Sequence, residues 1–129
     1  MRVLLDTHAW LWMLTEPERL GDARDVVERS ETTLLFSAAS SWEIAIKYGL
    51  GRLPLPEPPA AYVPRRIRSS AVTPLAVEHA HALVVAELPL VHRDPFDRLL
   101  VAQAQLEQVP IITGDGIFAR YDVEVMAVG

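Results

Sequence analysis

The chain has 129 residues, half of them hydrophobic, which is about one domain's worth of sequence and enough apolar material to bury a core. It contains no cysteine, which excludes disulfides and thiolate chemistry and allows a reducing compartment. A net charge of −5 argues against a bulk basic nucleic-acid binder, while leaving room for a local basic patch or a metal-bridged contact with phosphates.

In chain order, the opening MRVLLDTHAW reaches Asp6 after the short apolar run Val3-Leu4-Leu5, which is too brief for the core of a signal peptide. No later apolar run is long enough to span a membrane, so the expected setting is soluble and cytoplasmic, with no membrane partner. Val3 to Leu5 reads as a strand, Thr7 to Leu14 as a helix, and Glu18 to Arg29 as a second helix with Leu20, Ala23, Val26 and Val27 on one face. Thr33 to Phe36 reads as a strand and Ser37 to Tyr48 as a helix closed by Gly49. A connection rich in proline (54, 56, 58 and 59) leads to a helix over Ala60 to Ser69, interrupted or started by Pro64. A strand over Ala71 to Thr73, a helix over Val77 to Leu88 and a long helix from Pro95 to Gln108 follow. Ile111 to Thr113 is a strand, Gly114-Asp115-Gly116 a turn and Glu124 to Val128 a last strand. Short, wholly apolar strands alternating with helices imply an α/β fold, with a mainly parallel sheet covered on both faces.

Four acids stand out against this frame. Asp6 ends the first strand, Glu43 lies early in the helix after the second, Asp97 lies in the first turn of the long helix, and Asp115 follows the strand ending at Thr113. In open parallel sheets ligands bind beyond the carboxyl ends of the strands, where the strand order reverses. Four carboxylates gathered there would repel one another, and a hard divalent cation such as Mg²⁺ or Mn²⁺ relieves that repulsion. Bound metal also activates water and clamps a phosphate, so an all-acid site of this kind suits phosphodiester hydrolysis.

Each acid also has a purely structural reading. Asp94 followed by Pro95 looks like an N-cap and first helical residue, with Asp97 at the third. Ser40 and Glu43 have the spacing of a capping box, and Glu43 with Lys47 that of a surface pair. Asp6 suits a helix cap and Asp115 a turn. The functional reading rests on all four occupying one edge of one sheet.

The pieces LLDTHAWLW, SAASSWEIAIKYGLGRL, HRDPFDRLLVAQA and IITGDGIFARY, in this order, resemble the PIN-domain ribonucleases of the toxin type found in bacterial and archaeal toxin–antitoxin pairs, usually called VapC. The resemblance covers almost the whole chain as a single PIN-like domain over residues 1–129. It implies a three-layer fold with sheet order 3-2-1-4-5, an Mg²⁺- or Mn²⁺-dependent ribonuclease acting on an RNA substrate, and inhibition by a cognate antitoxin. By position it makes Asp6, Glu43 and Asp97 the core catalytic and metal-binding acids and Asp115 the more variable fourth. Thr7, following the first acid, and Thr113, in a T-x-D motif, match the family pattern as substrate-side or supporting residues.

Asp94 is assigned mainly as a cap, with a supporting or substrate-side role open. Arg93 and Arg98 flank the acids, where they would hold a substrate phosphate or pair with a carboxylate. Trp10 and Trp12, with Leu11, Leu14 and Trp42, supply core or a partner interface, and the apolar surplus of Trp10, Trp12, Leu14 and the 60–69 segment suggests a homodimer and a groove for an antitoxin segment. His79 and His81, two apart on a helix, diverge, which rejects zinc. Three rival classes stand beside this reading. A receiver domain needs an acidic pair after the first strand and a lysine after a late one, but Asp6 is followed by Thr7 and the chain's only lysine is Lys47. A haloacid-dehalogenase-type phosphatase needs D-x-D where Asp6-Thr7-His8 stands. A non-catalytic PIN-like binding module is the remaining alternative, and the intact set of acids counts against it.

Overall fold

A computed structural model describes all of residues 1–129. Five parallel strands form one sheet in the order β3-β2-β1-β4-β5. They are β1 (Arg2–Leu5), β2 (Thr33–Ser37), β3 (Thr73–Leu75), β4 (Ile111–Thr113) and β5 (Val125–Ala127). The helices are α1 (Thr7–Thr15), α2 (Ala23–Glu28), α3 (Ala38–Gly49), α4 (Pro59–Ser70), α5 (His79–Val84) and α6 (Pro95–Glu107), with short 3-10 turns at Pro17–Leu20, Val85–Glu87 and Gly116–Arg120.

Alternate residues of each strand face opposite layers, which is why the inner strands carry successive apolar residues, Val3-Leu4-Leu5, Leu34-Leu35-Phe36 and Ile111-Ile112. Val3, Leu5, Leu34, Phe36 and Ile112 pack with Trp10, Ile44, Tyr62 and Val63 on one side. Leu4, Leu35 and Ile111 pack with Leu100, Val101, Ala104 and Phe118 on the other. The strand order reverses between β1 and β4, whose register pairs Leu4 with Ile111 and Leu5 with Ile112. Asp6 N–H donates to Ile112 carbonyl at 3.0 Å, so the first acid leaves the sheet at that switch point.

Several elements differ from the sequence reading. The single helix expected over Glu18 to Arg29 is a 3-10 turn and a short helix, broken at Gly21, whose φ of 52° and ψ of −130° are open to glycine. The third strand lies at Thr73–Leu75, two residues later than expected, because Ala71 closes α4 in the left-handed conformation. Pro74 is tolerated there because β3 is an edge strand. The α4 helix starts at Pro59 and runs through Pro64. Of the two places open to Trp10, core or partner interface, the fold takes the core: the side chain is fully buried and tilts against Phe36 with ring centroids 4.1 Å apart.

Candidate active site

The β1–α1 junction supplies the first acid. Asp6 is the N-cap of α1, and its Oδ1 accepts from Ala9 N–H at 2.7 Å. Its Oδ2 accepts a short hydrogen bond from the Thr113 hydroxyl at the end of β4. Asp6, Thr7 and Thr113 are all buried. Burial raises the Asp6 carboxyl above the ordinary value, against the hydrogen bonds from Thr113 and Ala9.

The second acid comes from α3. Ser37, the last residue of β2, caps this helix by accepting from Ala39 N–H at 3.0 Å. Ser40 is therefore inside the helix, and the expected Ser40–Glu43 capping box does not form. Both side chains turn instead toward Thr7, whose hydroxyl lies 2.8 Å from Ser40 Oγ and donates to Glu43 Oε1 at 2.5 Å. Lys47, one turn on, donates to Glu43 Oε2. The pair is not a surface pair, since the Glu43 side chain is only 4% exposed. Burial works against the charge of Lys47, but the Glu43 hydrogen bond and the charges of Glu43, Asp94 and Asp97 lift its pKa above the ordinary lysine value.

The third acid heads α6. Asp94 caps the helix, its Oδ1 accepting from Phe96 N–H at 2.9 Å and Asp97 N–H at 3.3 Å, and Pro95 fills the first helical position. Asp97 is thereby held at the start of the helix, and its Oδ2 lies 2.8 Å from His92 Nε2. Burial first, then the adjacent charge of Asp94 and that of Glu43, push the Asp97 carboxyl up to about 7, against the contact with His92. His92, Asp94 and Asp97 offer ligand atoms within 4.8 Å of one another. Asp6, Glu43 and Asp97 do not close to that distance as a trio. They are connected through Thr7, between the first two elements, and through the field that Glu43 exerts on both Asp6 and Asp97.

Asp115 is placed differently. Its carboxylate is exposed and caps the following 3-10 turn, accepting from Ile117 N–H at 3.0 Å. It reaches the other acids only through its backbone, its N–H donating to Thr113 Oγ1 at 3.0 Å. Arg98 also departs from expectation: no carboxylate accepts from it. Its guanidinium donates to the carbonyls of Pro89 at 2.9 Å, Val85 at 3.0 Å and His92 at 3.4 Å, and to Tyr121 Oη at 3.4 Å. It ties the loop before α6 to that helix, where a free phosphate-binding arginine would stay unpartnered. Arg93 is exposed.

His92 escaped the sequence reading. Its N–H donates to Tyr121 Oη at 2.9 Å, so Tyr121 and Arg98 fix the backbone that presents the ring to Asp97. A histidine two residues before an N-cap has no periodic signature. The one available signal was its place in HRDPFDRLL beside the aspartate pair.

Acids gathered along the switch-point edge of a 3-2-1-4-5 parallel sheet mark an open α/β fold with its candidate site where such folds bind ligands. The PIN domain family matches residues 3–124, and the chain belongs to that family. Ribonuclease VapC16 of Mycobacterium tuberculosis is 50% identical over 64 residues, which cover 50% of this chain and 45% of that protein. The chain thus matches less than half the length of this curated relative. The crystal structure of VapBC2 from Rickettsia felis, bound to a DNA fragment from the promoter, superposes with a TM-score of 0.74 at 14% identity, covering 100% of both chains. FitAcB from Neisseria gonorrhoeae gives 0.61 at 20% identity, covering 95% of each chain. The structural likenesses are likenesses of fold.

Proposed function

We propose that residues 1–129 form a single PIN domain that acts as a metal-dependent endoribonuclease, hydrolysing RNA phosphodiester bonds as the toxin of a toxin–antitoxin pair. The observation that carries this reading is the set of buried carboxylates at the switch point, short of positive charge. Asp6 and Asp97 are both raised by burial, and the only lysine of the chain is already committed to Glu43.

The donor set fits Mg²⁺ or Mn²⁺, which take hard oxygen ligands. Asp6 and Asp97 would hold the ion; Glu43, whose charge is already paired with the Lys47 ammonium, adds fixed negative charge beside them. When bound, the ion supplies an activated water and a clamp for charge developing on the phosphate. The chain's own residues do the orienting. Thr113 and Ala9 N–H fix Asp6, Thr7 fixes Glu43, and His92 fixes one oxygen of Asp97 while leaving the other to the cleft. Asp115, on the rim, is placed to meet substrate or solvent.

The VapC resemblance supports an antitoxin as partner. The stripe of Trp42 and Ile46 on α3 with Leu50 at its C-cap, 58%, 37% and 61% exposed, supports a second copy of the chain as another. The purified protein should cleave RNA with added Mn²⁺, stop with chelator, and lose cleavage in Asp6→Asn. Cleavage indifferent to both chelator and Asp6→Asn would overturn the reading. Tight RNA binding without Mn²⁺-dependent cleavage would make the chain a binding module.

A further inference from the structure

The only lysine of the chain stands inside the acid cleft. Lys47 donates to Glu43 Oε2 while Thr7 donates to Oε1 at 2.5 Å, so the two oxygens of the buried carboxylate are held from opposite sides. Two-thirds of the Lys47 side chain is covered, its exposure being 35%. The charges of Asp94 and Asp97, on a different helix, also reach its ammonium. Glu43, Asp94 and Asp97 therefore share one cation supplied by the protein. A solvated pair on a helix surface contributes little and faces no third or fourth acid. A lysine ammonium is a compact point charge, close in character to a small cation, but it exchanges no ligands.

We propose that Lys47 is a positioning residue that takes the place of a second divalent cation, so that the cleft is built for one metal ion and one lysine. This rests on the metal-dependent reading of the site. Sites that use two ions hold them about 3.5–4 Å apart, each needing carboxylate oxygens. Here Oε2 of Glu43 is engaged by Lys47, and the ammonium repels a further cation beside it. Lys47 thus orients Glu43 and sets the stoichiometry of the cleft.

The test uses the full chain and Mn²⁺ alone, with free Mn²⁺ counted by electron paramagnetic resonance. Ions in the cleft are those lost in Asp97→Asn. Wild type is expected to bind one such ion. Lys47→Met should bind two, or show at least a tenfold tighter second binding, and Lys47→Arg should return to one. Adding Glu43→Gln to Lys47→Met should remove the second ion again. Wild type binding two ions in the cleft overturns the proposal without recourse to any variant. A Lys47→Met variant that binds one ion with wild-type affinity also overturns it and leaves the metal reading intact. Wild type that binds no Mn²⁺ overturns the metal reading and this proposal with it.

Discussion

Replacing Asp97 by asparagine should make the metal-free protein more stable at pH 8 and leave it little changed at pH 4. The Asp97 carboxyl is pushed up to about 7 by burial and by Asp94, whereas in the unfolded chain it titrates near 3.9. Between those values the folded state binds more protons than the unfolded state, so stability falls as pH rises from about 4 to about 7. Below that window the group contributes nothing; above it the full penalty is present. A carboxyl moved from near 3.9 to about 7 corresponds to about 4 kcal/mol as an upper bound, and relaxation around the site makes about 2–4 kcal/mol the working range. For a chain of this length each kcal/mol moves the melting temperature by roughly 4 °C. Asparagine keeps an oxygen for His92 Nε2–H, so the mutation removes the charge and little else. Thermal melts of wild type and Asp97→Asn in chelator, from pH 4 to 8, should diverge with rising pH by about 8–16 °C. A difference that is constant with pH, or an Asp97→Asn protein that is less stable at pH 8, would refute the reasoning.

Three further outcomes follow from the same geometry. Asp94→Ala should cost about 1 kcal/mol, because the carboxylate accepts from two backbone N–H groups, whereas Asp94→Asn should cost only a few tenths; denaturant melts separate them. Gly114→Ala should destabilise by about 1–3 kcal/mol, since a Cβ there would lie 2.6 Å from Trp12 Cη2, and the indole fluorescence should shift with it. Leu50→Asp should shift any dimer toward monomer in sedimentation while leaving the monomer's stability within about 0.5 kcal/mol, because this side chain is 61% exposed.

How much of this was legible in the sequence depends on which interactions are local. The α6 entry was, because cap, proline and acid lie within four residues and their geometry follows from backbone hydrogen bonding alone. The strand ends at Asp6 and Thr113 were legible for a similar reason: apolar runs stop there. The environment of Glu43 was not. Serines at 37 and 40 both suit an N-cap, and the choice of Ser37 is made by where β2 ends. That choice turns Ser40 and Glu43 toward Thr7, 33 and 36 residues away in sequence. Lys47 read as a solvated partner because helical spacing reports separation along a face and not whether that face is buried. Core and partner surface both suited Trp10 because the core that takes it, Phe36 with Tyr62 and Val63, is assembled from distant elements.

The most direct test of the central claim is Mn²⁺-dependent RNA cleavage by Asp97→Asn beside Asp94→Asn. Both variants remove one carboxylate charge from the same helix turn, but only one removes the acid assigned to the metal. The account predicts that Asp97→Asn loses cleavage by a factor on the order of a hundred or more. Asp94→Asn, which keeps the cap oxygen, should retain most of it. An active Asp97→Asn enzyme, or an inactive Asp94→Asn enzyme that still melts like wild type, would contradict the assignment.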